Sequence, residues 1–170
     1  MVEKLAKNLK VPVTCKIRIL PREEDTMHLV RTIVNAGCSI LTVHGRTKEQ
    51  NKQKVGKCDW DMIRKIKQSV DIPVFANGGV YNYEDAIKCL EYTGVDGVMS
   101  SESLLENPAL FSGEVKDLDK LALEYLDICK TYETDPAYIR PHLFKFLYTG
   151  LMVRFFRIFK TYRRYRNTQT

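Results

Sequence analysis

Lys16 and Arg18 stand two residues apart in VPVTCKIR (11–18). Residues two apart on a strand share a face, and two cations facing a protein interior demand an anion. The competing reading is a frayed strand end with both side chains in water. His44 and Arg46 follow in SILTVHGRT (39–47). An imidazole there can hydrogen-bond a cofactor or donate a proton, and a guanidinium can grip a phosphate or a base edge. A lone histidine in a turn can equally be structural. Asn77-Gly78-Gly79 lies in IPVFANGGV (72–80). Glycines between a strand and a helix let backbone N–H groups approach a phosphate at the helix's positive end. An ordinary β-to-α turn uses them too. Ser100-Ser101-Glu102 offers a second such turn one strand later, in VDGVMSSES (95–103).

Each of these clusters ends an apolar run, and the segments between the runs have helical periodicity. That is the rhythm of a (β/α) barrel, in which the loops after the strands carry the chemistry and the last two form a phosphate site. Strands are expected at 11–17, 40–43, 73–76 and 97–100. The spacing predicts a helix over 23–35, with Met27, Val30, Ile33 and Val34 on one face and Gly37 as its stop. A second helix, 59–69, is capped by Asp59 and turns Trp60, Ile63 and Ile66 inward. A third starts at Asn82, buries Ala86, Ile87 and Leu90, and stops near Gly94; a short helix covers 104–111. The stretch 48–57 is polar and reads as a loop.

After Gly113 strand signals vanish. A helix is expected over 117–132, with Leu118, Leu121, Ala122, Tyr125 and Ile128 on one face. Asp135-Pro136 is a cap and first-turn pair, and Pro141 should kink or restart the helix it opens. The expected fold class is therefore α/β: half of a (β/α)8 TIM barrel in residues 1–113, followed by an all-helical segment, 114–170. The 170 residues fall short of the ~250 of a complete barrel.

Hydrophobic content of 44% and charged content of 28% fit a soluble globular protein. No apolar leader follows Met1, and the apolar run 146–153 is far below the ~20 residues that span a bilayer, so no membrane partner is expected. The five cysteines are odd in number and lack CxxC spacing, which points to reduced thiols and a cytoplasmic and/or nuclear setting. The three histidines are too scattered for a metal site. The net charge of +6 equals the six cations Arg154, Arg157, Lys160, Arg163, Arg164 and Arg166, which share 151–170 with no acid. The body is thus neutral and the tail basic. Met152, Phe155, Phe156 and Phe159 fall on the opposite helical face. Such a tail suits a nucleic-acid backbone, a membrane surface, or a helix packed on its aromatic side.

The runs TCKIR, TVHGRT, ANGGV and DGVMSSESLLENPALF, in this order, resemble the second half of the barrel of the flavin-dependent tRNA-dihydrouridine synthases. EYLDICKTYE and YIRPHLFKFLY resemble the start of that family's helical, tRNA-binding domain. The resemblance covers roughly residues 8–150 and is nearest the eukaryotic branch that modifies uridines 16 and 17 of the D-loop. It implies that residues 1–113 are the C-terminal half of a (β/α)8 TIM barrel. It also implies FMN and NAD(P)H as cofactors, tRNA as partner, and reduction of the C5–C6 bond of uridine. Lys16, His44, Asn77, Gly78 and Gly79 match its flavin-binding positions. Ser101 and Glu102 match its second phosphate loop, where many members carry Gly-Arg. Arg18 and Arg46 match positions near the substrate, and the basic tail would contact RNA. The family's general-acid cysteine lies in a motif upstream of the strand holding Lys16, so the resemblance assigns no catalytic residue here and the isolated chain is expected to lack turnover. Cys38 lacks the Gly-Cys-Pro context and precedes its strand; Cys15 is assigned no catalytic role. The other readings are a short RNA- or partner-binding form without enzyme activity, and another FMN barrel acting on a small molecule. Free half-barrel edges would invite self-association.

Overall fold

Apolar alternation builds four strands: β1 (Thr14–Arg18), β2 (Ile40–His44), β3 (Val74–Asn77) and β4 (Gly97–Met99). All neighbours pair in parallel, in the order β1-β2-β3-β4. This is a computed structural model; it describes residues 1–51 and 55–167, without the side chains of 149 and 153–167. The chain divides into two units, Met1–Ser101 and Glu102–Thr170.

In the first unit α1 (Val2–Asn8) precedes β1, and α2 (Glu23–Asn35), α3 (Trp60–Gln68) and α4 (Tyr83–Thr93) are the crossovers that parallel strands require. Strand order follows chain order, and α3 packs against both α2 and α4. The core lies between these helices and one face of the sheet. Leu41, Val43, Val74 and Ala76 from the strands meet Val30, Ile63 and Ile66 from the helices, all fully buried. Each of the larger aliphatic side chains contributes about 1.5–3 kcal/mol on leaving water.

Local chemistry sets the helix ends. The Asp59 carboxylate accepts the Met62 N–H at 2.8 Å, and the Asn82 carboxamide oxygen accepts the Asp85 N–H at 2.7 Å. Gly94 stops α4 in the left-handed conformation. Asp96, just before β4, accepts the Val74 N–H and pairs with Lys67, which ties the starts of β3 and β4 to α3.

The second unit begins with α5 (Glu102–Glu106), passes through a 3-10 turn (Leu110–Ser112), and continues as α6 (Leu118–Thr131) and α7 (Pro136–Asn167). Tyr125 of α6 packs edge-on against Phe146 of α7, with ring centres 5.4 Å apart.

Several expectations need correction. The first strand starts at Thr14, not at residue 11: Pro12 has no N–H for a ladder and Val11 is exposed. The helix expected at 104–111 is split, because Pro108 cannot continue α5 and restricts Asn107 before it. Pro141 neither restarts nor ends its helix, which runs from Pro136 to Asn167. Ile128 is 51% exposed, and Cys129 takes the inward position beside Ala122. The units divide at Ser101 rather than 113, since α5 packs with α7.

Candidate functional site

The strand register decides which polar side chains meet. Lys16 aligns with Thr42 and Phe75, and Phe75 with Gly97. One step on, Arg18 aligns with His44, His44 with Asn77, and Asn77 with Met99. Residues two apart share a face, so these two rows lie on the face opposite the core. Cys15, Ile17, Leu41, Val43, Val74 and Ala76 take the helix-packed side. Lys16, Arg18, His44 and Asn77 thus share one face at the C-terminal ends of adjacent strands.

Charge on this face is one-sided. No ion pair among the described residues includes Lys16 or Arg18. Arg18 donates from Nη1 to the Thr47 carbonyl at 2.8 Å, which neutralises nothing. Burial, then Arg18, holds the Lys16 ammonium below its ordinary pKa. His44 is held down to about 4, by burial first and then by Arg18, Lys16 and Arg46. The imidazole is therefore neutral near pH 7.

The Arg46 guanidinium, which by its residue type could grip a phosphate or a base edge, is turned into the protein. It is only 7% exposed. Its Nε donates to the Gly56 carbonyl at 3.1 Å and its Nη2 to the Tyr81 hydroxyl at 3.2 Å, while Nη1 lies 3.4 Å from His44 Nε2.

The Asn-Gly-Gly turn is built by close approach. Gly78 and Gly79 have φ of +98° and +76°. A Cβ on Gly78 would fall 2.9 Å from His44 Cδ2 and 3.0 Å from Cys58 Sγ. Asn77 Nδ2 donates to the Met99 carbonyl at 2.9 Å, which leaves its carboxamide oxygen as an acceptor. Among the described residues no hydrogen bond uses the Gly78 or Gly79 N–H. Those two donors, with two unpaired cations, fit an anionic ligand.

Cys58 and Trp60 were missed in the sequence as parts of this site. Trp60 Nε1 donates to the Gly78 carbonyl at 3.1 Å, so the ring expected to face the core instead props the turn. Cys58 is buried against Asn77 O, and burial raises its thiol pKa. Their only sequence signal is a Cys-Asp-Trp triplet at the end of a polar loop. A cleft of about 820 Å³ lined by Lys57, Cys58, Trp60, Lys88, Glu91 and Tyr92 holds none of the expected site residues.

Ser101 is exposed at the end of the first unit, and Glu102 opens α5 in the second. The expected RNA contacts at Arg154, Arg157, Lys160, Arg163, Arg164 and Arg166 lie on α7, but their side chains are outside the described residues. So are those of Phe155, Phe156 and Phe159. Among the described residues, no group of His, Cys, Asp or Glu could hold a metal ion, and no helix is long and apolar enough to cross a membrane.

The family model for Dihydrouridine synthase (Dus) matches residues 1–168. The chain belongs to the dihydrouridine synthase family. The match reaches into the basic tail, past the stretch 8–150 that carries the motifs. Among similar members is the Mus musculus protein named tRNA-dihydrouridine(16/17) synthase [NAD(P)(+)]-like. It is 46% identical over 145 residues, which cover 85% of this chain and 30% of that protein. The tRNA-dihydrouridine(16/17) synthase [NAD(P)(+)] of Schizosaccharomyces pombe is 37% identical over 161 residues, 86% of this chain and 40% of that protein. The chain spans about a third of the length of the curated relatives it matches. A solved mandelate oxidase superposes with a TM-score of 0.45 at 18% identity, over 71% of this chain and 40% of that one.

Proposed function

We propose that this chain is the flavin-binding and tRNA-facing part of a tRNA-dihydrouridine synthase, with FMN held on the polar face of the sheet and NAD(P)H as the electron source. The observation that carries the reading is the pair Lys16 and Arg18, on one face with His44 and Asn77 and in no ion pair among the described residues. The names of the relatives supply tRNA, dihydrouridine and NAD(P). When bound, FMN supplies the hydride chemistry that links NAD(P)H to the C5–C6 bond of uridine.

The chain's own groups divide the binding work. Lys16 and Arg18 supply positive charge in a partly desolvated place, where it counts for more than in water. His44 presents a neutral ring. Asn77 offers its carboxamide oxygen, and the Gly78 and Gly79 N–H groups are open to a phosphate oxygen. Ser101 extends the donor set through its backbone at the end of the next strand. Arg46 supports substrate binding by holding His44 and the loop after β2. No cysteine here is assigned the general-acid role: Cys38 lies before β2, at the end away from His44, and Cys15 is on the helix side.

We further read the four parallel strands, with all crossovers in chain order, as the C-terminal half of a (β/α)8 barrel. β1 and β4 each have one neighbour among the described strands, and such edges favour self-association. A reducing, cytoplasmic and/or nuclear setting suits the five free thiols.

Titration of the purified 170-residue chain with FMN, followed by flavin fluorescence, tests the reading. Saturable binding is expected, with riboflavin weaker because it lacks the phosphate. Lys16→Met should weaken FMN binding roughly tenfold, the loss of one charge-assisted contact. Equal affinity for riboflavin and FMN would refute the anion role. Salt-dependent tRNA binding without any flavin binding would favour the non-enzymatic RNA-binding alternative.

A further inference from the structure

The least explained group on this face is the Arg46 guanidinium. It is buried, yet no ion pair among the described residues includes it. A guanidinium has only donors and keeps its proton at any ordinary pH. Two of its nitrogens are committed to Gly56 O and the Tyr81 hydroxyl, which fixes the plane of the fork. The third, Nη1, faces Nε2 of His44. The Arg46 backbone N–H also reaches the His44 carbonyl at 2.7 Å, so the two residues are held together by main chain as well.

A donor facing Nε2 is favourable only if Nε2 carries a lone pair. In the Nε2–H tautomer, two donors would oppose each other. In the imidazolium, a second cation would face the guanidinium. We propose that Arg46 is a positioning residue that fixes His44 as its neutral Nδ1–H tautomer, so that the ring meets a ligand only as a hydrogen-bond donor from Nδ1.

The surroundings agree. The Cδ2–Nε2 edge of the ring lies against the Gly78 turn: a Cβ there would be 2.9 Å from Cδ2 and 3.1 Å from Nε2. That edge is closed to a ligand. Among the described residues, the charged or titratable groups around the ring are Lys16 and Arg18 from β1, Arg46 itself, and the Cys58 thiol under the turn. Asp59 is tied to this loop by its backbone N–H on Gly45 O, but its carboxylate turns away to the Met62 N–H. Nothing on this list pulls a proton onto Nε2. Under the flavin reading, the consequence is selectivity. The part of a ligand that meets His44 must be an acceptor, such as a carbonyl oxygen or an unprotonated ring nitrogen.

The test reads the tautomer and needs no flavin. Long-range proton–nitrogen spectra of the 15N-labelled 170-residue chain distinguish a protonated ring nitrogen from one with a lone pair, and His44→Gln identifies the signal. From about pH 5 to about pH 8, His44 should show a protonated Nδ1 and a bare Nε2. Arg46→Lys keeps a donor-only cation and should preserve that pattern. Arg46→Gln supplies a carboxamide oxygen that can accept from Nε2–H. It should shift the ring toward the other tautomer and raise its pKa only slightly above about 4, because burial, Arg18 and Lys16, which hold it down more than Arg46 does, remain. A protonated Nε2 in the unaltered chain would overturn the proposal, and so would an unchanged tautomer in folded Arg46→Gln. If Arg46→Gln fails to fold, the unaltered chain still decides. The proposal rests on the flavin reading only for its consequence, and the two fail separately: FMN binding to a ring protonated at Nε2 sinks this inference alone, while an Nδ1–H ring without FMN affinity sinks the flavin reading alone.

Discussion

Gly78 shows how tightly single residues are specified at this site. Its φ of +98° disfavours any side chain, and its missing Cβ is the space taken by His44 and Cys58. The two constraints are independent, because one is backbone strain and the other is contact. Gly78→Ala should therefore destabilise the first unit by about 1–3 kcal/mol and also displace His44. Urea unfolding measures the first effect. FMN titration of the folded fraction measures the second, and an unchanged affinity there would mean that the turn does not set the position of the ring.

At the scale of elements, α3 links the core to the site. Met62, Ile63 and Ile66 hold its inner face in the core, while Trp60 at its first position props the Gly78 carbonyl. The cap that starts the helix, Asp59, is also the residue whose backbone N–H holds Gly45. Fraying at this end would thus reach the turn. Asp59→Ala should cost about 1 kcal/mol, visible as a lower urea midpoint. It should also weaken the quenching of Trp60 fluorescence by FMN. A change of Lys65, on the exposed side of the same helix and paired with Glu23 of α2, should leave both readings close to the unaltered chain, since exposed ion pairs contribute little.

Charge distribution matters at the scale of the whole molecule. The net charge of +6 resides in residues 151–170, at the end of a helix that begins at Pro136. If this segment meets RNA phosphates, the affinity for tRNA should fall steeply with salt. Each cation engaged adds about 0.7–0.9 to the slope of log K against log salt. Replacing Arg163, Arg164 and Arg166 by Gln should flatten that slope by about 2–3 and leave FMN affinity unchanged. A slope that does not respond would place the RNA contacts elsewhere.

Much was determined by the chain alone. Apolar runs that end in polar clusters specify strands and the loops after them. Asp59, Asn82 and Gly94 mark helix ends through interactions confined to a few neighbouring residues. Those signals are local, and so they survive in one dimension. The same holds for the face shared by Lys16 and Arg18, which follows from the period of a strand. The tertiary structure decided what depends on residues distant in sequence. Register alone puts His44 between Arg18 and Asn77. Arg46 is buried because Gly56 and Tyr81 fold back to meet it, and Trp60 faces a turn rather than the core because Gly78 offers an unpaired carbonyl there. Hydrogen bonds between distant residues leave no periodic trace in a sequence, so the partners of a side chain appear only when the strands are laid side by side.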